Sequence, residues 1–185
     1  MFGVALTLLG LGAAAALEER QPVEPELREL LKRAASESDS FADRFDGEVW
    51  LTDMSQRLAK RIPDHDVRID LLKNVHYESQ RAGLEPELVL SVIQVESNFN
   101  PFAISRAGAL GIMQIMPFWL KEIGKPGDNL FHMHTNLRYG CTILRYYLDK
   151  ERGNRVRALM RYNGTRERHY PAQVYKVFDQ RWQPQ

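Results

Sequence analysis

The sequence predicts an all-α protein, and three observations predict it. No stretch alternates apolar and polar residues long enough to build a strand ladder. Apolar residues instead recur at spacings of three and four, most clearly at Leu51, Met54, Leu58 and Ile62. Between these stripes stand caps and breakers of the helical kind.

Taken in order, residues 25–35 and 49–62 carry the first helical patterns. Asp64 or Asp66 can cap a helix bearing Val67, Leu71, Leu72 and Val75, which stops near Gly83. Pro86 suits a first helical position, because its missing N–H would find no partner there anyway. The helix it starts runs to about Ser97, and Pro101 marks its exit. A short helix over 109–115 and another over 117–123 are expected next. Gly124-Lys-Pro-Gly-Asp-Asn is turn chemistry. Residues 135–152 carry the stripe Leu137, Cys141, Leu144 and Leu148, and 155–162 ends at Asn163-Gly164, a helix stop. Residues 171–182 make the final helix.

At 185 residues the chain can bury one sizeable core. Its 44% hydrophobic and 26% charged content is that of an ordinary soluble domain. The expected organisation is a catalytic domain over 49–185, a polar and partly helical lead-in over 18–48, and a signal-like or anchor segment over 1–17. Residues 2–17 hold no charge and end in small residues, which is the pattern of an export signal without its basic leading region. They are short for a membrane span. Export to the periplasm or cell envelope is expected, with an uncleaved N-terminal membrane anchor as the alternative.

Net charge is +1, which gives no signal for nucleic acid. The sign is uneven: from Arg138 onward there are 11 Lys and Arg against 4 Asp and Glu. That half could face an anionic ligand or form a solvated Arg-rich surface. The single cysteine, Cys141, sits on an apolar stripe and reads as a small buried hydrophobe. No cofactor fingerprint is present. His132 and His134 lie two apart, the other histidines are isolated, and no metal site is expected.

The chemistry centres on Glu96. The segment 86–97 is apolar nearly all round, so its helix should be buried. A carboxyl in its last turn meets both burial and the negative helix pole, and each raises its pKa. A general acid working near neutral pH needs that. The other reading is a solvent-facing Glu at a frayed helix end. The loop that follows offers Gly108 and Gly111 for close backbone approach, and Asn98, Ser105 and Gln114 as neutral hydrogen-bonding groups suited to sugar hydroxyls.

Three motifs in order carry a resemblance. Glu96-Ser-Asn-Phe-Asn-Pro101, Ser105-Arg-Ala-Gly-Ala-Leu-Gly-Ile-Met-Gln-Ile-Met-Pro117 and Arg161-Tyr-Asn-Gly164 resemble the soluble lytic transglycosylase domain of the lysozyme-like superfamily. The resemblance covers about residues 71–175. It implies a compact lysozyme-like (goose-type/transglycosylase) helical domain that cuts bacterial peptidoglycan with no cofactor and no metal. It further implies Glu96 as the single catalytic acid and base. Ser97, Ser105, Gly111, Met113, Gln114, Met116, Tyr162 and Asn163 are its implied substrate residues, with the Tyr162 hydroxyl near Glu96.

The implied reaction cleaves the β-1,4 bond between MurNAc and GlcNAc and closes a 1,6-anhydro ring on MurNAc. A hydrolytic muramidase on the same fold and an inactive peptidoglycan-binding scaffold are the alternatives. The implied partners are glycan strands and, by context, a secretion or cell-wall machinery; a monomer is expected. The third motif departs from the family's Ala-Tyr-Asn-Ala-Gly, and the region after it is short. The groove beyond the cleavage point, where Tyr170 and Tyr175 would lie, is therefore left open by the resemblance.

Overall fold

The computed structural model describes residues 45–183. The signal-like segment, the 25–35 helix and nearly all of the lead-in lie outside the described residues. Helix α1 spans Phe45–Leu58, α2 His65–Arg81, α3 Pro86–Ser97, α4 Phe118–Ile123, α5 Met133–Lys150, α6 Arg155–Asn163 and α7 His169–Val177, followed by a π-helical turn Phe178–Trp182. Among the described residues there is no strand, only two isolated bridges, Ile104 with Leu110 and Leu110 with Ile115. The all-α expectation holds. No helix among them is long and apolar enough to cross a membrane.

The helix starts follow local chemistry. Asp64 caps α2, its carboxylate accepting from the N–H groups of Asp66 and Val67 at 3.0 Å each. Pro86 opens α3. Asn154 caps α6 by accepting from Arg157 N at 3.1 Å. Gly164 stops α6 with a left-handed φ of 77°, the conformation glycine takes without a Cβ penalty.

Helix α3 is the buried axis. Every residue from Pro86 to Ile93 is buried. It is flanked by α2, α7 and the π-helical turn. Trp182, fully buried, donates from Nε1 to Gln94 Oε1 at 3.0 Å and meets Phe99 edge-on at 5.7 Å. At the end of α3 the chain turns through two left-handed residues, Asn98 (φ 49°) and Phe99 (φ 68°). Asn tolerates this locally, whereas a bulky residue is strained by on the order of 1–3 kcal/mol. Burial of the Phe99 ring contributes about as much in return. The strained turn is therefore held by packing, and it fixes the direction in which the end of α3 points.

Residues 109–115 are not the expected short helix. Leu110 and Ile115 instead exchange backbone hydrogen bonds at 2.9 Å, closing a tight loop. The cause is at its corners, where Gly111 (φ 78°) and Gln114 (φ 54°) are left-handed and break the helical repeat.

Two buried polar side chains hold the helices around this loop. Asn136 of α5 accepts from Met113 N at 2.8 Å and donates to Leu110 O at 2.9 Å and Leu130 O at 2.8 Å. Glu78 of α2, fully buried, faces Arg81, Arg138 and His134. Asn136→Ala would leave the Met113 N–H and the Leu130 carbonyl without the partner that Asn136 supplies, at about 1–3 kcal/mol for each group, while Leu110 O keeps the Ile115 N–H. The expected outcome is a melting temperature lowered by on the order of 10 °C. A melt within 2 °C of wild type, roughly the noise of one kcal/mol on this scale, would refute the assignment.

Candidate active site

The C-terminus of α3, the end of α6 and the start of α7 converge on Glu96. Tyr170 of α7 donates its hydroxyl to Glu96 Oε1 at 2.6 Å, across 74 positions of sequence. The Asn163 side chain hydrogen-bonds the same carboxyl. Burial raises the Glu96 pKa from 4.5 to about 7, against the opposing pull of those two hydrogen bonds. Burial wins because the carboxyl lies under the three elements at once. No second carboxylate is among the groups that shift it.

Tyr170 is buried to 6% exposure, and its own pKa is raised well above 10 by burial and by the nearby Glu96. It therefore stays a phenol and a donor throughout the neutral range. A donor on Oε1 favours the acid proton on Oε2. Tyr170→Phe removes an influence that lowers the Glu96 pKa, so the pKa moves upward. The alkaline limb of any activity that needs protonated Glu96 should shift to higher pH, which a pH–rate profile reads. A limb that stays in place or moves down would contradict this.

The remaining expected residues divide by what they touch. Ser97 donates to Ile112 O at 2.8 Å, with Ile93 O also at 3.2 Å, and so ties the end of α3 to the loop. Ser105 closes a tight turn, its hydroxyl accepting from Ala109 N at 2.9 Å. Gln114 donates from Nε2 to Gly111 O at 2.8 Å and Ala103 O at 3.2 Å. Both its donors serve the loop, which leaves the amide oxygen for a ligand. Met116 is half-buried beside Pro117, Phe118 and Lys121 around a shallow depression.

Two implied placements need correction, and a third, Tyr162, lies near Glu96 as implied. The Met113 side chain is fully buried against Gly140 of α5, so it cannot touch a sugar. Gly111 is buried as well, and a Cβ there would lie 2.3 Å from Asn136 Nδ2 and from Leu130 O. Close packing against Asn136 and Leu130 requires glycine here. The Tyr162 hydroxyl commits its proton to Met113 O at 2.8 Å. Its pKa is raised mainly by burial and then by the field of Glu96, so it is near the carboxyl without donating to it.

Tyr170 is the residue that sequence reasoning left out. A signal for it existed: Tyr170 and Val174 form an i, i+4 apolar pair, which turns the tyrosine toward the core. The signal did not say which groups would meet it there.

Comparison with known proteins bears on this arrangement. The family model described as Transglycosylase SLT domain matches residues 73–182. A protein called transglycosylase from Enterobacteria phage PRD1 is 35% identical over 106 residues, covering 53% of this chain and 39% of its own length. Membrane-bound lytic murein transglycosylase C of Mannheimia succiniciproducens is 48% identical over 82 residues, covering 40% of this chain and 23% of its own. The protein of that name in Histophilus somni is 39% identical over 79 residues, covering 38% of this chain and 22% of its own. The chain thus spans well under half the length of these relatives.

Proposed function

Since the chain belongs to the Transglycosylase SLT domain family, we propose that it is a peptidoglycan lytic transglycosylase in which Glu96 acts alone as acid and then as base. The observation that carries the reading is a carboxyl with a pKa raised to about 7, held by two neutral donors. Near pH 7 such a group populates both of its forms, and a single residue that first gives and then takes a proton needs both.

In the proposed reaction the Glu96 proton passes to the oxygen bridging MurNAc and GlcNAc. The bond from MurNAc C1 to that oxygen breaks, and GlcNAc leaves with a hydroxyl. Positive charge develops at C1, where the acetamido carbonyl of the same sugar supports it. The Glu96 anion then takes the proton of the MurNAc 6-hydroxyl while its oxygen bonds to C1, which closes the 1,6-anhydro ring. Glu96 ends protonated, and no water is consumed. Glycosidases that use two carboxylates need the second one as nucleophile or base. Here the sugar's own hydroxyl replaces it. Tyr170 and Asn163 hold the carboxyl and temper its pKa, while Gln114 offers an amide oxygen to the strand. The proposed setting is the cell envelope.

Mass spectrometry of sacculi digested with the full chain tests the reading. Muropeptides ending in 1,6-anhydro-MurNAc are the expected product. Reducing MurNAc ends would establish hydrolysis by water, and no soluble product at all would establish a binding protein; either overturns the proposal.

A further inference from the structure

Helix α1 and the turn after it precede residues 73–182, the part of the chain that the family model covers. Two of their arginines nevertheless reach the surroundings of Glu96. Arg57 donates from Nη1 to the carbonyls of Arg181 at 3.1 Å and Gln183 at 2.9 Å, so α1 grips the backbone of the π-helical turn. Its Nε and Nη2 meet the two oxygens of Asp53 at 2.8 and 2.7 Å, the planar fork fitting the carboxylate. All three nitrogens of the guanidinium are thus committed, and its direction is fixed. Met54 and Leu58 are buried, so the group is presented from a helix seated in the core. Arg61, four residues on, donates from Nε to Asn98 Oδ1 at 3.3 Å.

The gripped turn carries Trp182. Its fully buried indole bonds Gln94 and packs edge-on against Phe99. Gln94 and Phe99 stand two residues before and three after Glu96. A seated indole therefore pins the chain on both sides of the acid. The end of α3 needs such a hold, because its last carbonyls lack helical partners and because Asn98 and Phe99 are both left-handed. Arg61 holds the first of that pair and Trp182 the second.

We propose that Arg57 is a positioning residue for Glu96: by holding the π-helical turn it seats Trp182 against Gln94 and Phe99, and so keeps the carboxyl in place beneath Tyr170 and Asn163. The inference rests on Glu96 as the acid of the reading above. No charged side chain is among the influences on Glu96. The titratable groups that face it are Tyr162 and Tyr170, which burial holds as neutral phenols. Removing the Arg57 charge therefore changes the titration of Glu96 only by moving the chain around it.

Carbon-13 NMR of the full chain labelled at its glutamate carboxyls reads that titration directly, with Glu96→Gln identifying the resonance. In the wild type the midpoint lies at about 7. Arg57→Met keeps most of the side-chain stem and loses the bonds to Arg181 and Gln183. Those bonds are exposed, so water replaces them and the fold should survive, which a melting curve checks. Burial is the largest influence on Glu96, so admitting water lowers its pKa even as the two hydrogen bonds loosen. The midpoint should fall by about one pH unit, a tenfold change in the ratio of acid to anion. The alkaline limb of the pH–rate profile should fall with it, whereas a loss of folded protein would lower the whole profile without moving the limb. Should Arg57→Met not fold, Arg57→Lys keeps the charge, lacks the fork and makes the same comparison. A midpoint that stays or rises in the folded variant would overturn the proposal and leave Arg57 as a local tie between α1 and the turn. The titration reads the clamp whatever the sacculus digest yields, so failure of this inference and failure of the peptidoglycan reading are told apart.

Discussion

Glu96→Gln should abolish release of soluble fragments from sacculi while making the protein more stable above pH 7. The loss follows from the role proposed for the group, since an amide can neither give nor take the proton. A positioned general acid contributes about 10²–10⁴-fold, and here one residue does both transfers, so a fall of roughly 10³-fold or more is expected. The gain in stability follows from the same burial. In the unfolded chain Glu96 releases its proton near pH 4.5, whereas in the fold it holds it to about pH 7. Below 4.5 both states are protonated and burial of the charge costs nothing. As pH rises through this window the unfolded state ionises first, so folding stability falls. Above 7 both states are ionised and the cost is complete, at about 3 kcal/mol for such a shift. Glutamine is neutral at every pH and escapes it.

The difference between variant and wild type should therefore be small at pH 4. It should open between 4.5 and 7 and level off at roughly 10 °C in melting temperature by pH 8. Parallel melts of the two proteins across that range, with sacculus digests at each pH, measure both effects. A difference that does not change with pH would show that Glu96 is not a buried, proton-retaining acid. Substantial lytic activity in the variant would remove it from the chemistry.

The second large effect lies away from Glu96. Glu78→Ala should lower stability by about 3–5 kcal/mol, the range for breaking a buried ion pair by removing one partner. Glu78 receives Arg81 Nε at 2.6 Å and Arg138 Nε at 3.0 Å, with His134 Nε2 at 3.2 Å. The two arginines keep only 14% and 11% of their side chains exposed. Without the carboxylate, two nearly buried positive charges face each other between α2 and α5. Arg81 also reaches Thr142 at 2.8 Å, a bond that cannot neutralise it. Because Asn136 lies on the same helix as Arg138, loosening α5 also loosens the loop that Asn136 holds. Chemical denaturation read by tryptophan fluorescence measures the loss. A change below about 1 kcal/mol, typical of an exposed pair, would show that the cluster is not structural.

These two residues were not equally visible in the sequence. Glu78 continues the stripe of Leu71 and Val75, so periodicity alone turns it inward. Its partners on α5 are some sixty positions away, and no local pattern points to them. Glu96 was visible because the apolar segment before it has no other charged residue after Glu87. The expected helix over 109–115 failed because Gln114 in the left-handed region is a tertiary outcome, imposed by the bonds of its side chain to Ala103 and Gly111. Met113 and Tyr162 were placed by resemblance among substrate contacts. In the structure the Tyr162 hydroxyl lies near Glu96 and bonds the Met113 carbonyl, while the Met113 side chain fills space beside Gly140.

The sequence by itself determined most of the helices, several of their caps and the carboxyl on which the proposed chemistry turns. Those features depend on bonds between residues three or four apart and on apolar periodicity, both of which are written locally. The tertiary structure alone decided which tyrosine holds Glu96, how far burial outweighs the hydrogen bonds on it, and that Arg57 of α1 meets the backbone of the π-helical turn. Each of those depends on groups far apart in sequence meeting in a low-dielectric space, where the energy belongs to the assembled packing and to no single segment.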